Sequence, residues 1–111
     1  MTSFNITDPT SFLKLEIVEA LRTVIDPELN VNLIDLGLIY EIEVDDQAKT
    51  ITVTMTLSSS HCPMGDAIMN SVKNCLEHNF KNYTAEIVLT WTPQWNYERI
   101  SEEGLKQLRG E

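Results

Sequence analysis

The chemistry this chain offers most clearly lies in Leu57-Ser58-Ser59-Ser60-His61-Cys62-Pro63-Met64-Gly65-Asp66, where an alternating strand pattern stops and an amphipathic helix pattern begins. Pro63 suits the first turn of that helix, because its missing N–H is one the helix leaves unpaired and its φ is already near the helical value. Cys62 is therefore expected at the helix N-cap or just before it. There, free backbone N–H groups and the positive end of the helix dipole favour thiolate over thiol. Such a sulfur is nucleophilic and metal-seeking. Ser58, Ser59 and Ser60 add small residues whose N–H groups could face an anion, a metal-bound sulfide or a developing oxyanion. Asp66, one turn in, favours the helix but works against the thiolate. The plain alternative is a helix start without chemistry, against which stands the preference of structural cysteines for element interiors.

Two further groups of residues belong with this loop. Asp26-Pro27-Glu28-Leu29-Asn30 places two carboxylates in a connection where Pro27 denies Asp26 an easy helical conformation. Val31-Asn32-Leu33-Ile34-Asp35-Leu36-Gly37 continues it, with Gly37 expected to supply a backbone shape that a side chain would block. For Asp26 and Asp35, local turn capping and a functional role both stand open. Thr92-Pro93-Gln94-Trp95 leaves a later strand irregularly, and Trp95 reads either as a plug closing the sheet edge or as a ligand contact.

The elements that must position these residues follow from periodicity. Asp8-Pro9 reads as an N-cap and first helical position, and Leu13, Ile17, Ala20, Leu21, Val24 and Ile25 recur at helical spacing, predicting a first helix that ends near Asp26-Pro27. From Leu38 the period changes to two. Leu38, Tyr40, Ile42 and Val44 alternate with Ile39, Glu41 and Glu43, and Ile51, Val53, Met55 and Leu57 alternate with threonines. The polar turn Asp45–Lys49 between them predicts an antiparallel hairpin. Met64, Ile68, Val72, Leu76 and Phe80 then define one buried helical stripe, with Cys75 on it as a small core residue. Ala85, Ile87, Leu89 and Trp91 give a third strand, which a right-handed crossover sets parallel to the second. Ser101-Glu102-Glu103 starts a short final helix bearing Leu105 and Leu108. The predicted fold is a small α/β (α+β) domain: a three-stranded mixed sheet with helices packed on it, in the order helix, strand, strand, helix, strand, short helix. The parallel pair brings the Cys62 turn and the Pro93–Trp95 segment to one sheet edge, the usual edge for ligand chemistry in open α/β sheets.

Composition narrows the function. At 111 residues the chain is expected to form one domain over 1–111. Its 8 Lys and Arg against 17 Asp and Glu give a formal charge of −9, which repels phosphate backbones and anionic membranes. No leader-like or bilayer-spanning segment stands in the sequence, so a cytoplasmic protein is expected. Only Cys62 and Cys75 are present. On one helix they would lie roughly 19 Å apart, whereas a disulfide needs Cα atoms within about 7 Å. No zinc tetrad exists, since the remaining soft ligands are His61 and His78, and His78 falls at the far end of the same helix.

Taken in order, Asp26-Pro27-Glu28, Asp35-Leu36-Gly37-Leu38-Ile39-Tyr40, Cys62-Pro63, Pro93-Gln94-Trp95 and Ser101-Glu102-Glu103 resemble the metal-sulfur cluster biosynthetic family that includes SufT and PaaD. The resemblance covers almost the whole chain and implies the same fold. It further implies an accessory factor in iron-sulfur protein maturation, acting in cluster assembly or delivery. Cys62 would be the reactive thiol and candidate iron ligand with Asp26 beside it, and Glu28, Asp35, Ser59, Ser60, His61, Pro93 and Trp95 would support them. Iron or an iron-sulfur cluster would be held transiently, with no permanent cofactor. Scaffold or carrier proteins and client apoproteins are the implied partners. Two alternatives are a thiol enzyme with Cys62 as nucleophile and His61 or Asp26 as base, and a client-binding adaptor without chemistry of its own. An iron-sulfur cluster is normally held by four protein ligands, mostly thiolates. One thiol, even with one carboxylate, falls short, so a homodimer or a transient complex is expected.

Overall fold

The computed structural model describes residues 11–59 and 64–110. Its elements are α1 (Ser11–Leu21), β1 (Ile25–Asp26), β2 (Val31–Asn32), α2 (Leu33–Leu36), β3 (Ile39–Asp45), β4 (Thr50–Met55), α3 (Gly65–Asn79), β5 (Thr84–Leu89), a 3₁₀ turn (Tyr97–Arg99) and α4 (Glu102–Leu108). The expected hairpin forms: β3 pairs antiparallel with β4 across the turn at 46–49. The crossover through α3 sets β5 parallel to β4, giving the sheet order β3-β4-β5. Ile51, Val53 and Met55 point into the core, where Ile17 and Leu21 of α1 and Ile68, Val72 and Leu76 of α3 meet them. Among the described residues no helix is long and apolar enough to cross a membrane.

The first helix stops earlier than its spacing predicts. It ends at Leu21, and Ile25-Asp26 instead pairs antiparallel with Val31-Asn32 as a two-residue ribbon. Pro27 favours extended backbone at Asp26. The loop then closes through Asn30, whose N–H donates to the Asp26 carbonyl (2.8 Å) from a left-handed φ of 60°, a conformation asparagine tolerates better than most residues. What read as an irregular connection is therefore a ribbon followed by a one-turn helix. Asn32 caps α2, accepting from the Asp35 N–H, and Gly37 ends it at φ 74°. A Cβ on Gly37 would also clash with the Arg99 carbonyl oxygen, so both the angle and the space exclude a side chain.

Four other residues differ from expectation. Leu89 and Trp91, placed on the core face by alternation, are exposed. Cys75 is half-buried, its Sγ 3.3 Å from the Ala20 carbonyl at the end of α1. Met64 precedes the helix it was expected to join and is exposed.

Candidate functional site

The C-terminal ends of β4 and β5 share one edge, with Met55 registered against Leu89, as the crossover predicts. Beyond Met55 the chain turns inward: Thr56 and Leu57 are buried, and Ser58 is half-buried. The α3 helix then starts at Gly65 with Met64 as its N-cap, without a side-chain cap. A Cβ on Gly65 would lie 2.7 Å from Leu57 Cδ1, so the helix start is set against the strand end by a contact that glycine permits. The readings made on Ser60, His61, Cys62 and Pro63 lie outside the described residues.

Asp26 is buried, and its Oδ1 accepts from the N–H groups of Glu28 (2.8 Å) and Leu29 (3.2 Å). That carboxylate closes the ribbon loop, as in an Asx turn. Asp26→Ala is therefore expected to lower stability by about 1–2 kcal/mol, as loss of a cap does. Asp26→Asn, which keeps the acceptor oxygen, should recover most of it. Urea unfolding of both variants checks this, and equal losses would count against the turn-closing role. Glu28 and Ser59 are exposed and each has an interaction partner.

Asp35 does something that sequence reasoning could not show. Its Oδ2 accepts from Asn32 Nδ2 (2.7 Å), and its Oδ1 accepts from Arg22 (3.1 Å) and from Ser101 Oγ (2.8 Å). Ser101 in turn caps α4 by accepting from the Gly104 N–H. One buried carboxylate thus ties the ends of α1, α2 and α4 together. Burial opposes its charge, but the bonds from Asn32, Ser101 and Arg22, with the Arg22 charge, outweigh burial and hold its pKa below the usual value.

Pro93 and Trp95 serve the same end of the fold. The Trp95 indole is buried and donates from Nε1 to the Leu36 carbonyl (2.6 Å), leaving no free polar atom for a ligand. Pro93, after a cis peptide bond, is exposed, and its carbonyl accepts from Tyr40 Oη (2.7 Å). Tyr40 sits at the irregularity in the β3-β4 register, which lets its ring leave the ladder and lie under the Arg99 guanidinium at 4.9 Å.

Thr56 is a residue the strand pattern placed on the hydroxyl face without distinction from Thr50, Thr52 and Thr54. It is fully buried, and its Oγ1 is the one buried side-chain polar atom without a hydrogen-bond partner among the described residues. An orphan of this kind costs about 1–3 kcal/mol. Here it stands at the strand end leading to the Cys62 loop. Among the described residues no group of three or more His, Cys, Asp or Glu side chains is placed to hold a metal ion.

Comparison with known proteins supplies the remaining evidence. The "Fe-S protein maturation auxiliary factor" of Porphyromonas gingivalis is 43% identical over 99 residues, covering 87% of this chain and 93% of that protein. The Bacillus subtilis "Fe-S protein maturation auxiliary factor YitW" is 37% identical over 89 residues, 80% of this chain and 86% of its own. The crystal structure of a domain of unknown function, DUF59, from Bacillus anthracis superposes with a TM-score of 0.85 at 33% identity, covering 95% of this chain and 98% of that one. With residues 14–84 also matching the corresponding family pattern, this chain belongs to the iron-sulfur cluster assembly protein family.

Proposed function

We propose that the protein is a cytoplasmic accessory factor in iron-sulfur protein maturation, in which the Cys62 thiol receives or guides iron or a cluster passing between an assembly component and a client apoprotein. The observation that carries the reading is the match to maturation auxiliary factors along most of the chain. The cluster is cargo. Only two cysteines exist, and Cys75 lies ten positions into α3 from Gly65, about 15 Å along the helix. One thiol cannot supply the four ligands a cluster normally takes, so partner ligands complete the coordination during transfer. A thiol-enzyme reading gains nothing from His78, which occupies the last turn of α3.

The reading is supported by the buried end of β4, where Leu57 packs against Gly65 at the start of α3. Asp26 is spent on its own turn through one oxygen, which supports a role in shaping the neighbouring backbone. Replacing the native copy with Cys62→Ala is the test, with the activity and iron content of the cell's iron-sulfur enzymes measured. Both are expected to fall while the variant stays folded and still co-purifies anaerobically with its protein partners. Full client activity with Cys62→Ala would overturn the thiol role.

A further inference from the structure

The two edges of the sheet are treated differently. The β3 edge carries Glu41, Glu43 and Asp45 and is broken by the register irregularity at Tyr40, devices that keep a strand edge from pairing. The Glu41 and Glu43 carboxyls lie close enough that their shared hydrogen bond and mutual repulsion raise the Glu41 pKa. The β5 edge has none of this. From Ile87 to Tyr97 the sequence holds no charged residue, and Val88, Leu89 and Trp91 are 45%, 38% and 45% exposed.

The backbone of that edge is also available. Thr84 and Thr90 donate their N–H groups to Lys49 and Met55, on the β4 side. Backbone groups alternate along a strand, so those of Ala85, Ile87 and Leu89 point outward. The Ala85 N–H is taken by Glu77 Oε2 (3.1 Å). Among the described residues no strand pairs with β5 beyond this point.

We infer that β5 pairs antiparallel with β5 of a second copy about a two-fold axis at Val88, joining two three-stranded sheets into one. In this register Ile87 and the partner's Leu89 both present outward groups and exchange both hydrogen bonds. Val88 meets the partner's Val88 in a non-hydrogen-bonded pair. Glu86 falls opposite the partner's Thr90. No carboxylate faces another, which a chain of net charge −9 requires of any self-contact. Centring on Ile87 instead would put Ala85, whose N–H is already taken, opposite the partner's Leu89 within the strand, whereas centring on Val88 leaves it opposite the partner's Trp91, beyond the end of β5, and centring on Glu86 would oppose two carboxylates. With neighbouring strands about 4.8 Å apart, the two β4 strands lie about 14 Å from each other. The pairing therefore extends the sheet without bringing the β4 ends into contact.

The pairing is tested by sedimentation equilibrium on the full chain from about 1 µM to about 1 mM, where so narrow an interface should give a micromolar dimer. Val88→Lys sets like charges directly opposite each other and should raise the dissociation constant about tenfold or more, with circular dichroism unchanged. Val88→Cys should form an intermolecular disulfide at residue 88 on mild oxidation. The Cα separation of a non-hydrogen-bonded pair, about 4.5 Å, falls within disulfide range. Glu86→Cys should not, and peptide mapping separates both from Cys62 and Cys75. A monomer throughout, or a dimer indifferent to Val88→Lys without the residue 88 disulfide, overturns the inference. A monomer that takes up an extended apolar peptide along β5 also overturns it, assigning the edge to a client strand. None of these measurements involves iron or client activity, so failure here is distinguishable from failure of the maturation role.

Discussion

Trp95→Ala is expected to destabilise the protein by about 4 kcal/mol, the loss typical of emptying a buried aromatic site. The indole is 9% exposed and packs tilted against Tyr97 with ring centroids 5.3 Å apart. Its N–H is spent on the Leu36 carbonyl. That carbonyl ends α2, where the Gly37 N–H serves Leu33 and Ile34, the Ser101 N–H serves Asp35, and the indole serves Leu36. Removing the indole leaves a cavity and a carbonyl without its donor. Trp95→Phe fills most of the cavity but cannot donate, and should cost about 1–2 kcal/mol. Against a total stability of order 5–15 kcal/mol, the alanine variant would be close to unfolding near physiological temperature and the phenylalanine variant would not. Urea denaturation of both decides the point. A loss below about 1 kcal/mol for Trp95→Ala would mean that the segment after β5 is not part of the core.

The choice between plug and ligand contact at Trp95 was open in the sequence for a physical reason. Its partner, the Leu36 carbonyl, is 59 positions away, and nothing in the local pattern marks it. What was legible was what repeats. The spacing of Ile68, Val72 and Leu76 and the alternation of Ile51, Val53 and Met55 gave α3 and β4 with their buried faces, because burial on one face imposes the period. The Ser101 cap was legible too, since a serine ahead of two acids is a local signal for a helix start. Two-residue strands impose no period, and so Ile25-Asp26 was read as the tail of α1. Alternation continued through Leu89 and Trp91 although burial did not, because a strand's pattern does not say where its covering helix ends. The Cys62 motif stands out by its residue types, and what the fold adds is the buried strand end before it and the glycine contact after it.

Asp35→Ala is expected to cost about 3 kcal/mol at neutral pH, through parts of the structure that its local sequence does not reach. The carboxylate is 8% exposed and accepts three side-chain hydrogen bonds, and bonds to a charged group are worth about 1.5–3 kcal/mol each. They do not add in full. Arg22 is 40% exposed and can turn to water, so its pairing counts for little. Ser101 still caps α4 through Gly104. Asn32 is buried and loses its acceptor outright. The pH dependence separates this account from simple loss of volume. The folded-state pKa of Asp35 lies below its ordinary value, so the stabilisation is present in full above the unfolded pKa of about 3.9 and is lost as pH falls through the lower, folded value. The gap between wild type and Asp35→Ala should hold constant from neutral pH down to about pH 5, then narrow as the unfolded chain takes up its proton, until the folded carboxylate protonates too. Thermal unfolding of the pair across that range measures it. A gap that persists unchanged to about pH 2 would mean that the charge of Asp35 contributes nothing to the joint between α1, α2 and α4.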